Sequence, residues 1–156
     1  MRAFCLFLLS LLLAGDALAA GKPKICFTPA EEAAEQLVRG GLRLREGALG
    51  CDGPPWDFHT KPLWEQVDRR FGPRFKQQTD IRRTAFVREF GNDAENRVQM
   101  WDGRTVFHFR HYPLSVPYCT EIRDNLQAML KGGWGVFAKQ AQRAKDEVEM
   151  DYRGCK

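Results

Sequence analysis

Residues 28–50 have the sequence TPAEEAAEQLVRGGLRLREGALG, and this stretch carries the clearest helix signals in the chain. Thr28 can cap a helix whose first turn contains Pro29, and Glu31 completes a capping box three residues later. Gly50 marks its end. Apolar residues recur between these ends at helical spacing: Ala34, Leu37, Val38, Leu42, Ala48 and Leu49. The stretch therefore predicts a first helix that reaches about residue 49.

The charged residues of this helix are ordered along its length. The acidic ones come early and the basic ones late: Glu31, Glu32, Glu35, Arg39, Arg43 and Arg45. This order complements the helix dipole, which favours anions near the amino end and cations near the carboxyl end. Gly40 and Gly41 weaken the middle of the helix by up to about 2 kcal/mol relative to alanines, and any bend in the helix is expected there.

A second helical segment begins at Pro62, after a loop over residues 51–60 that contains two prolines and a glycine. Apolar residues keep helical spacing up to Phe90, although Gly72 and Pro73 interrupt the segment. Because proline removes a backbone hydrogen bond and clashes with the preceding turn, we expect either one kinked helix or two helices in line.

The rest of the chain contains three more helical segments, separated by proline and glycine. The first starts at a second capping box, Asn92 to Glu95. The expected helices cover about residues 92–111, 117–130 and 134–152. Neither an internal repeat nor sustained strand alternation occurs. The sequence therefore predicts an all-α fold in a single domain over residues 20–156, an irregular bundle of five or six helices cross-linked by two disulfides.

The first nineteen residues have the pattern of a secretory signal peptide. Arg2 precedes an apolar run over residues 3–14, and Ala17 and Ala19 fit a cleavage site after Ala19. Because a helix that crosses a bilayer needs about 20 apolar residues, we expect no permanent membrane anchor. We therefore expect a signal peptide over residues 1–19 and an exported, soluble product that is periplasmic or secreted.

Four cysteines follow the expected signal: Cys26, Cys51, Cys119 and Cys155. An even number of cysteines in an exported domain predicts two disulfides, with three possible pairings. The chain contains no Cys-x-x-Cys motif, which argues against a thioredoxin-like redox site and a structural zinc site. We therefore expect structural bridges.

The length of the first helix limits how these cysteines pair. If the helix is straight, about 21 residues at ~1.5 Å each hold its ends roughly 30 Å apart, whereas a disulfide requires Cα atoms within about 7 Å. Cys26 and Cys51 then cannot pair with each other, and each must reach the carboxyl-terminal half. A bend at the paired glycines would instead join Cys26 to Cys51. We expect the long-range pairings, because the apolar stripe stays in phase through the glycines.

Residues 68–90 carry seven basic and three acidic residues, a difference of four that equals the net charge of the whole chain, +4. Arg69, Lys76 and Arg83 recur every seven residues and share one face if the helix is continuous. This basic face is either a docking surface for an acidic envelope component or a partner protein, or the solvated back of an amphipathic helix. Asp80 lies within it and favours the second interpretation. The charge density is too low to indicate a nucleic-acid partner.

Trp56 and Phe58 lie in the proline-rich loop beside Cys51. An aromatic side chain on a disulfide-anchored loop can bind a sugar ring or the surface of a partner. It can equally cap the end of the bundle and exclude water. The segment from Tyr112 to Cys119 has a similar composition and leaves the same two interpretations.

His108 and His111 lie three residues apart on one expected helix, so both can face one side and hold a metal ion. Arg104 and Arg110 place positive charge close to this pair, and the local sequence offers no third ligand. The other interpretation is a pair of histidines near a helix carboxyl terminus, where an imidazolium is favoured.

These features favour binding over catalysis. Signatures of nucleophilic serine chemistry and phosphate-binding loops are missing, and oxidised cysteines supply no thiolate. We therefore expect a non-catalytic binding protein of the bacterial cell envelope, without a cofactor, that uses the basic face together with Trp56 and Phe58. The alternative is a small secreted hydrolase, metal-dependent through His108 and His111.

Overall fold

A computed structural model describes residues 25–143 and 152–155 of the chain. These residues contain five α-helices, a short 3-10 helix and two strands of three residues each. The helices are α1 (Pro29–Gly50), α2 (Thr60–Phe90), α3 (Ala94–Arg110), α4 (Val116–Gly132) and α5 (Trp134–Arg143). The all-α class is confirmed. The expected signal peptide, residues 1–19, lies outside the described residues.

Helix α1 is the central helix of the bundle and contacts α2, α3, α4 and α5. The capping box is confirmed, because the Thr28 hydroxyl accepts from the Glu31 backbone N–H while the Glu31 carboxylate accepts from the Thr28 backbone N–H. Leu49, expected on the buried stripe, is instead 47% exposed. Since other helices surround α1, its buried residues include charged ones: Glu31, Glu35, Arg39, Arg43 and Glu46.

Gly40 and Gly41 allow neighbouring helices to approach α1 closely. A Cβ atom on Gly40 would lie 2.7 Å from the Cβ of Ala141 in α5, and one on Gly41 would lie 2.7 Å from the ring of Phe75 in α2. Helix α1 continues through both glycines. They therefore permit close packing and do not divide the helix.

Helix α2 is one helix that continues through Pro73, which decides between the two expected arrangements. It begins at Thr60, whose hydroxyl donates to the Ala48 carbonyl near the end of α1 at 2.7 Å. The capping box expected at Asn92–Glu95 is wrong. Asn92 lies within the 3-10 helix Gly91–Asp93, so Asp93 is the residue that precedes α3, and its carboxylate accepts from the side chains of Asn96 and Arg97 instead of from a backbone N–H.

The expectation of a last helix reaching Tyr152 is also wrong. Tyr152 begins strand β2 (Tyr152–Gly154), which pairs in parallel with β1 (Ile25–Phe27). Ile25 lies opposite Tyr152 in this register. Strands of three residues offer too few positions for the alternation by which a strand is recognised in a sequence.

The long-range disulfide pairings are confirmed. Cys26 bridges to Cys155 with a Cα separation of 4.9 Å, and Cys51 bridges to Cys119 with a Cα separation of 5.4 Å. The second bridge lies within the main core, which α1, α2, α4 and α5 build. A smaller core joins β1 to α2 and α3. Within residues 25–143 and 152–155, no helix combines the length and hydrophobicity that crossing a membrane requires.

Candidate functional site

Two of the three cations on the expected basic face have partners within the molecule. The Lys76 ammonium lies 2.8 Å from the Asp80 carboxylate, and the Arg83 guanidinium lies 2.9 Å from the Glu95 carboxylate. Arg69 is exposed and forms no ion pair with another described residue. The basic face is therefore partly neutralised, and its role as a docking surface stays a prediction.

Other cations of α2 hold neighbouring helices in place. Arg70 donates to the Leu130 carbonyl near the carboxyl end of α4 at 2.6 Å. The guanidinium carbon of Arg74 lies 5.8 Å from the ring centroid of Trp134, at the start of α5. The helix dipole favours a cation beside the last carbonyls of a helix. The π-face of an indole ring likewise attracts a cation that lies over it. Much of the positive charge of α2 therefore serves packing.

A network of charged and polar side chains joins α1, α2 and α3 inside the bundle. The Glu35 carboxylate accepts from Arg82 at 3.1 Å and from the Trp101 indole at 3.0 Å. Arg82 also donates two hydrogen bonds to Asp102, at 2.7 and 2.8 Å. Burial raises the pKa of the Glu35 carboxyl, although Arg82 opposes the shift. Helical periodicity gave no sign of this network, because it assigns charged residues to the surface.

Trp56 and Phe58 cap one end of the main core. Both are half-buried and pack against it. The Phe58 backbone N–H donates to the Cys51 carbonyl at 3.0 Å, and the guanidinium carbon of Arg123 lies 5.6 Å from the centroid of the Phe58 ring. These contacts favour the capping interpretation over an aromatic side chain that is free to bind a partner.

His108, in α3, and His111, the residue that follows α3, have different surroundings. His108 is half-buried beside the Tyr112 ring, at a centroid distance of 6.0 Å, and its Nε2 has no hydrogen-bond partner among the described residues. His111 is exposed, and its Nδ1 lies 2.9 Å from the Phe107 carbonyl oxygen. In the described part of the chain, no group of three or more His, Cys, Asp or Glu side chains could hold a metal ion. The metal site therefore gains no further ligand from these residues.

A cavity of about 580 Å³ opens where the α3–α4 connection meets α1 and the first turns of α4. We call it the Arg43 cavity. Its lining includes Arg43, Tyr112, Pro113, Tyr118 and Glu121. The composition of the segment from Tyr112 to Cys119 indicated a possible binding loop, but nothing in the sequence linked that segment to Arg43 or Glu121.

The Arg43 cavity combines aromatic faces with opposite charges. The guanidinium carbon of Arg43 lies 5.6 Å from the Tyr118 ring centroid, and the rings of Tyr112 and Tyr118 are 4.9 Å apart between centroids. The Nη2 atom of Arg43 lies 3.2 Å from Oε1 of Glu121. The Arg43 side chain is only 10% exposed, whereas that of Glu121 is 55% exposed. A shielded cation thus lies beside a carboxylate that water can reach.

The walls of this cavity are held by local contacts. The Ser115 hydroxyl caps α4 by accepting from the Tyr118 backbone N–H at 3.3 Å. Cys119, the next residue, is bridged to Cys51 at the end of α1. Gly47 leaves room for Tyr118, since a Cβ atom there would lie 2.9 Å from the tyrosine hydroxyl. These contacts place the aromatic faces before any ligand arrives.

Comparison of the chain with protein-family models, curated proteins and solved structures yields no match. The chemistry of the Arg43 cavity is therefore the guide to function. A guanidinium can pair with a carboxylate or phosphate through two parallel hydrogen bonds, and tyrosine faces offer a flat surface to a ring.

Proposed function

We propose that this protein is an exported, non-catalytic binding protein of the bacterial cell envelope and that its ligand occupies the Arg43 cavity. The observation that carries this proposal is the position of the Arg43 guanidinium between the Tyr118 ring and Glu121. This cavity is open to solvent, and its volume of about 580 Å³ lies within the range of about 300–1,000 Å³ found for small-ligand sites. The amino-terminal pattern and the two disulfides support export.

The charges of the cavity favour a ligand that carries a carboxylate. One Nη2–Oε1 contact of 3.2 Å joins Arg43 to Glu121, and the exposed Glu121 side chain can turn into solvent. A ligand carboxylate can then take its place and accept a charge-assisted hydrogen bond from Nη2 of Arg43. A sugar or other ring beside that carboxylate would pack on Tyr112, the half-buried tyrosine of the pair. Soluble peptidoglycan fragments offer both groups and agree with the expectation of an acidic envelope component.

Isothermal titration calorimetry with purified muropeptides tests this proposal, and chitin oligosaccharides serve as a probe that lacks carboxylates. We expect the protein to bind the muropeptides and not the chitin oligosaccharides. Tyr112→Ala should weaken binding by about 0.5–1.5 kcal/mol, the contribution of an aromatic contact. Glu121→Gln should tighten binding by up to about 1 kcal/mol, because it removes a competing carboxylate from an exposed ion pair.

A triple variant, Arg69→Gln with Lys76→Gln and Arg83→Gln, is the matched control. It removes the basic face of α2 and leaves the Arg43 cavity intact, so we expect unchanged affinity for muropeptides. Loss of affinity in the triple variant, with Tyr112→Ala unaffected, would place the binding site on the basic face. Absence of muropeptide binding would refute a carboxylate-bearing envelope ligand.

A further inference from the structure

The two disulfides lie in different surroundings. Cys51 and Cys119 are both 0% exposed and belong to the main core. Cys26 and Cys155 are only partly buried, at the edge of the two-stranded sheet. Because thiol–disulfide exchange begins when a thiolate reaches a disulfide sulfur, the Cys26–Cys155 bridge can be attacked while the main core stays folded.

An arginine lies directly beside the more accessible bridge. Nη2 of Arg88 is 3.6 Å from the Cys155 sulfur and 2.6 Å from the Cys26 carbonyl oxygen. The Glu31 carboxylate holds the same guanidinium through contacts of 2.7 and 2.9 Å. A cation near a sulfur stabilises the thiolate relative to the thiol, and a more stable thiolate leaves a disulfide faster. The carboxylates of Glu31 and Glu89 offset part of this charge, but the Nη2 contact still favours Cys155 as the leaving sulfur of the pair.

We propose that the Cys26–Cys155 bridge is a thiol–disulfide exchange site for a dithiol reductant. One thiolate of the reductant attacks the Cys26 sulfur, the bond between Cys26 and Cys155 breaks, and Cys155 leaves as a thiolate beside Arg88. The second reductant thiolate then attacks the reductant sulfur bound to Cys26. This step closes the disulfide of the reductant and releases Cys26. Two electrons pass from the reductant to the protein, and the protons lost by its thiols pass to Cys26 and Cys155.

This exchange changes how the carboxyl-terminal strand is attached. Besides the bridge, β2 is held by its short pairing with β1, by the hydrogen bond from the Cys155 N–H to the Phe27 carbonyl at 2.9 Å, and by the Tyr152 ring, 5.0 Å from the Phe27 ring between centroids. Reduction leaves these contacts without a covalent link. The redox state of Cys26–Cys155 therefore sets how firmly β2 stays on the small core.

Timed reduction of the oxidised mature protein tests the accessibility of the bridge. The protein is treated with dithiothreitol under native conditions, quenched with a mass-tagged alkylating reagent and mapped by peptide mass spectrometry. We expect Cys26 and Cys155 to be modified at least about tenfold faster than Cys51 and Cys119, which the core protects. Equal rates for the two bridges would overturn the proposal.

The variant Arg88→Gln tests the role of the guanidinium, and Arg83→Gln, exposed on the same helix, is its control. We expect Arg88→Gln to slow reduction by roughly threefold or more, with Arg83→Gln unchanged. After reduction, the pH midpoint of Cys155 alkylation should lie lower in the wild type than in Arg88→Gln. This midpoint reports the Cys155 thiolate itself, and Arg83→Gln, measured in the same way, should keep the wild-type midpoint. Identical midpoints would refute assistance by Arg88.

Discussion

Arg82 and Asp102 form a two-bonded ion pair that joins α2 to α3, with N–O distances of 2.7 and 2.8 Å. The Arg82 side chain is 1% exposed, and its remaining charge partner is Glu35 of α1, which is equally buried. The buried guanidinium and its two carboxylate partners therefore link α1, α2 and α3. Removal of any one of these side chains leaves a buried charge without one of its partners, which is costly away from water.

Removal of Arg82 should therefore destabilise the fold strongly. We expect Arg82→Met to lower the free energy of unfolding by about 3–5 kcal/mol, since it leaves the buried Glu35 carboxylate without the cation that donates a hydrogen bond to it. Urea titration followed by circular dichroism measures this change. The neighbouring Arg83→Gln removes an exposed pair with Glu95 and should cost less than about 1 kcal/mol. Similar losses in both variants would contradict the structural role of the network.

The stability of the protein should depend on Glu31 in acid. The Arg88 guanidinium holds the pKa of Glu31 near 2, below the ordinary value of 4.5. A group whose pKa is lowered by folding contributes stability above its unfolded pKa and loses it as the pH falls. We therefore expect the free energy of unfolding to decrease between about pH 4.5 and pH 2, and Glu31→Gln to flatten that decrease. Urea titrations at several pH values check this; an unchanged profile in Glu31→Gln would contradict it.

Two glycine substitutions should change stability in opposite directions. Gly41→Ala places a methyl group 2.7 Å from the Phe75 ring and should cost about 1–3 kcal/mol through overpacking. Gly103→Ala in α3 brings its methyl group within 4 Å of no described atom outside the neighbouring backbone of the helix and should stabilise the helix by roughly 0.5–1 kcal/mol. Thermal unfolding of both variants measures the difference. Stabilisation by Gly41→Ala would mean that α1 and α2 are less closely packed than described.

The two bridges should differ in their effect on ligand binding. Cys51 and Cys119 join the end of α1 to the wall of the Arg43 cavity, whereas Cys26 and Cys155 lie at the small sheet. Replacement of either pair by alanine should cost about 2–5 kcal/mol of stability. We expect muropeptide affinity to fall only in the Cys51→Ala, Cys119→Ala variant. Calorimetry at a temperature below the unfolding transition of both variants measures the two affinities. Equal losses of affinity would show that the Cys51–Cys119 bridge has no specific role in shaping the Arg43 cavity.

Local features of the sequence predicted most of the helices and excluded one of the three possible disulfide pairings, whereas the structure decided between the other two. The Thr28 capping box and the apolar spacing up to Gly50 involve neighbours within one helix, so they predict its position directly. The length of α1 then kept Cys26 away from Cys51, as the structure confirms. The same local reasoning was wrong at Asn92–Glu95, where nearby side chains, not the backbone, bind the Asp93 carboxylate.

Packing between distant segments decided which charged residues are buried. Arg82 and Arg83 are neighbours in sequence, yet Arg82 lies in the core and Arg83 is exposed. Helical spacing distinguishes the apolar face from the polar one, but it cannot show that a carboxylate of α1 and another of α3 meet at one guanidinium. The Arg43 cavity and the pairing of β1 with β2 depend in the same way on contacts between residues far apart in the chain. Only the tertiary structure brings such groups within bonding distance.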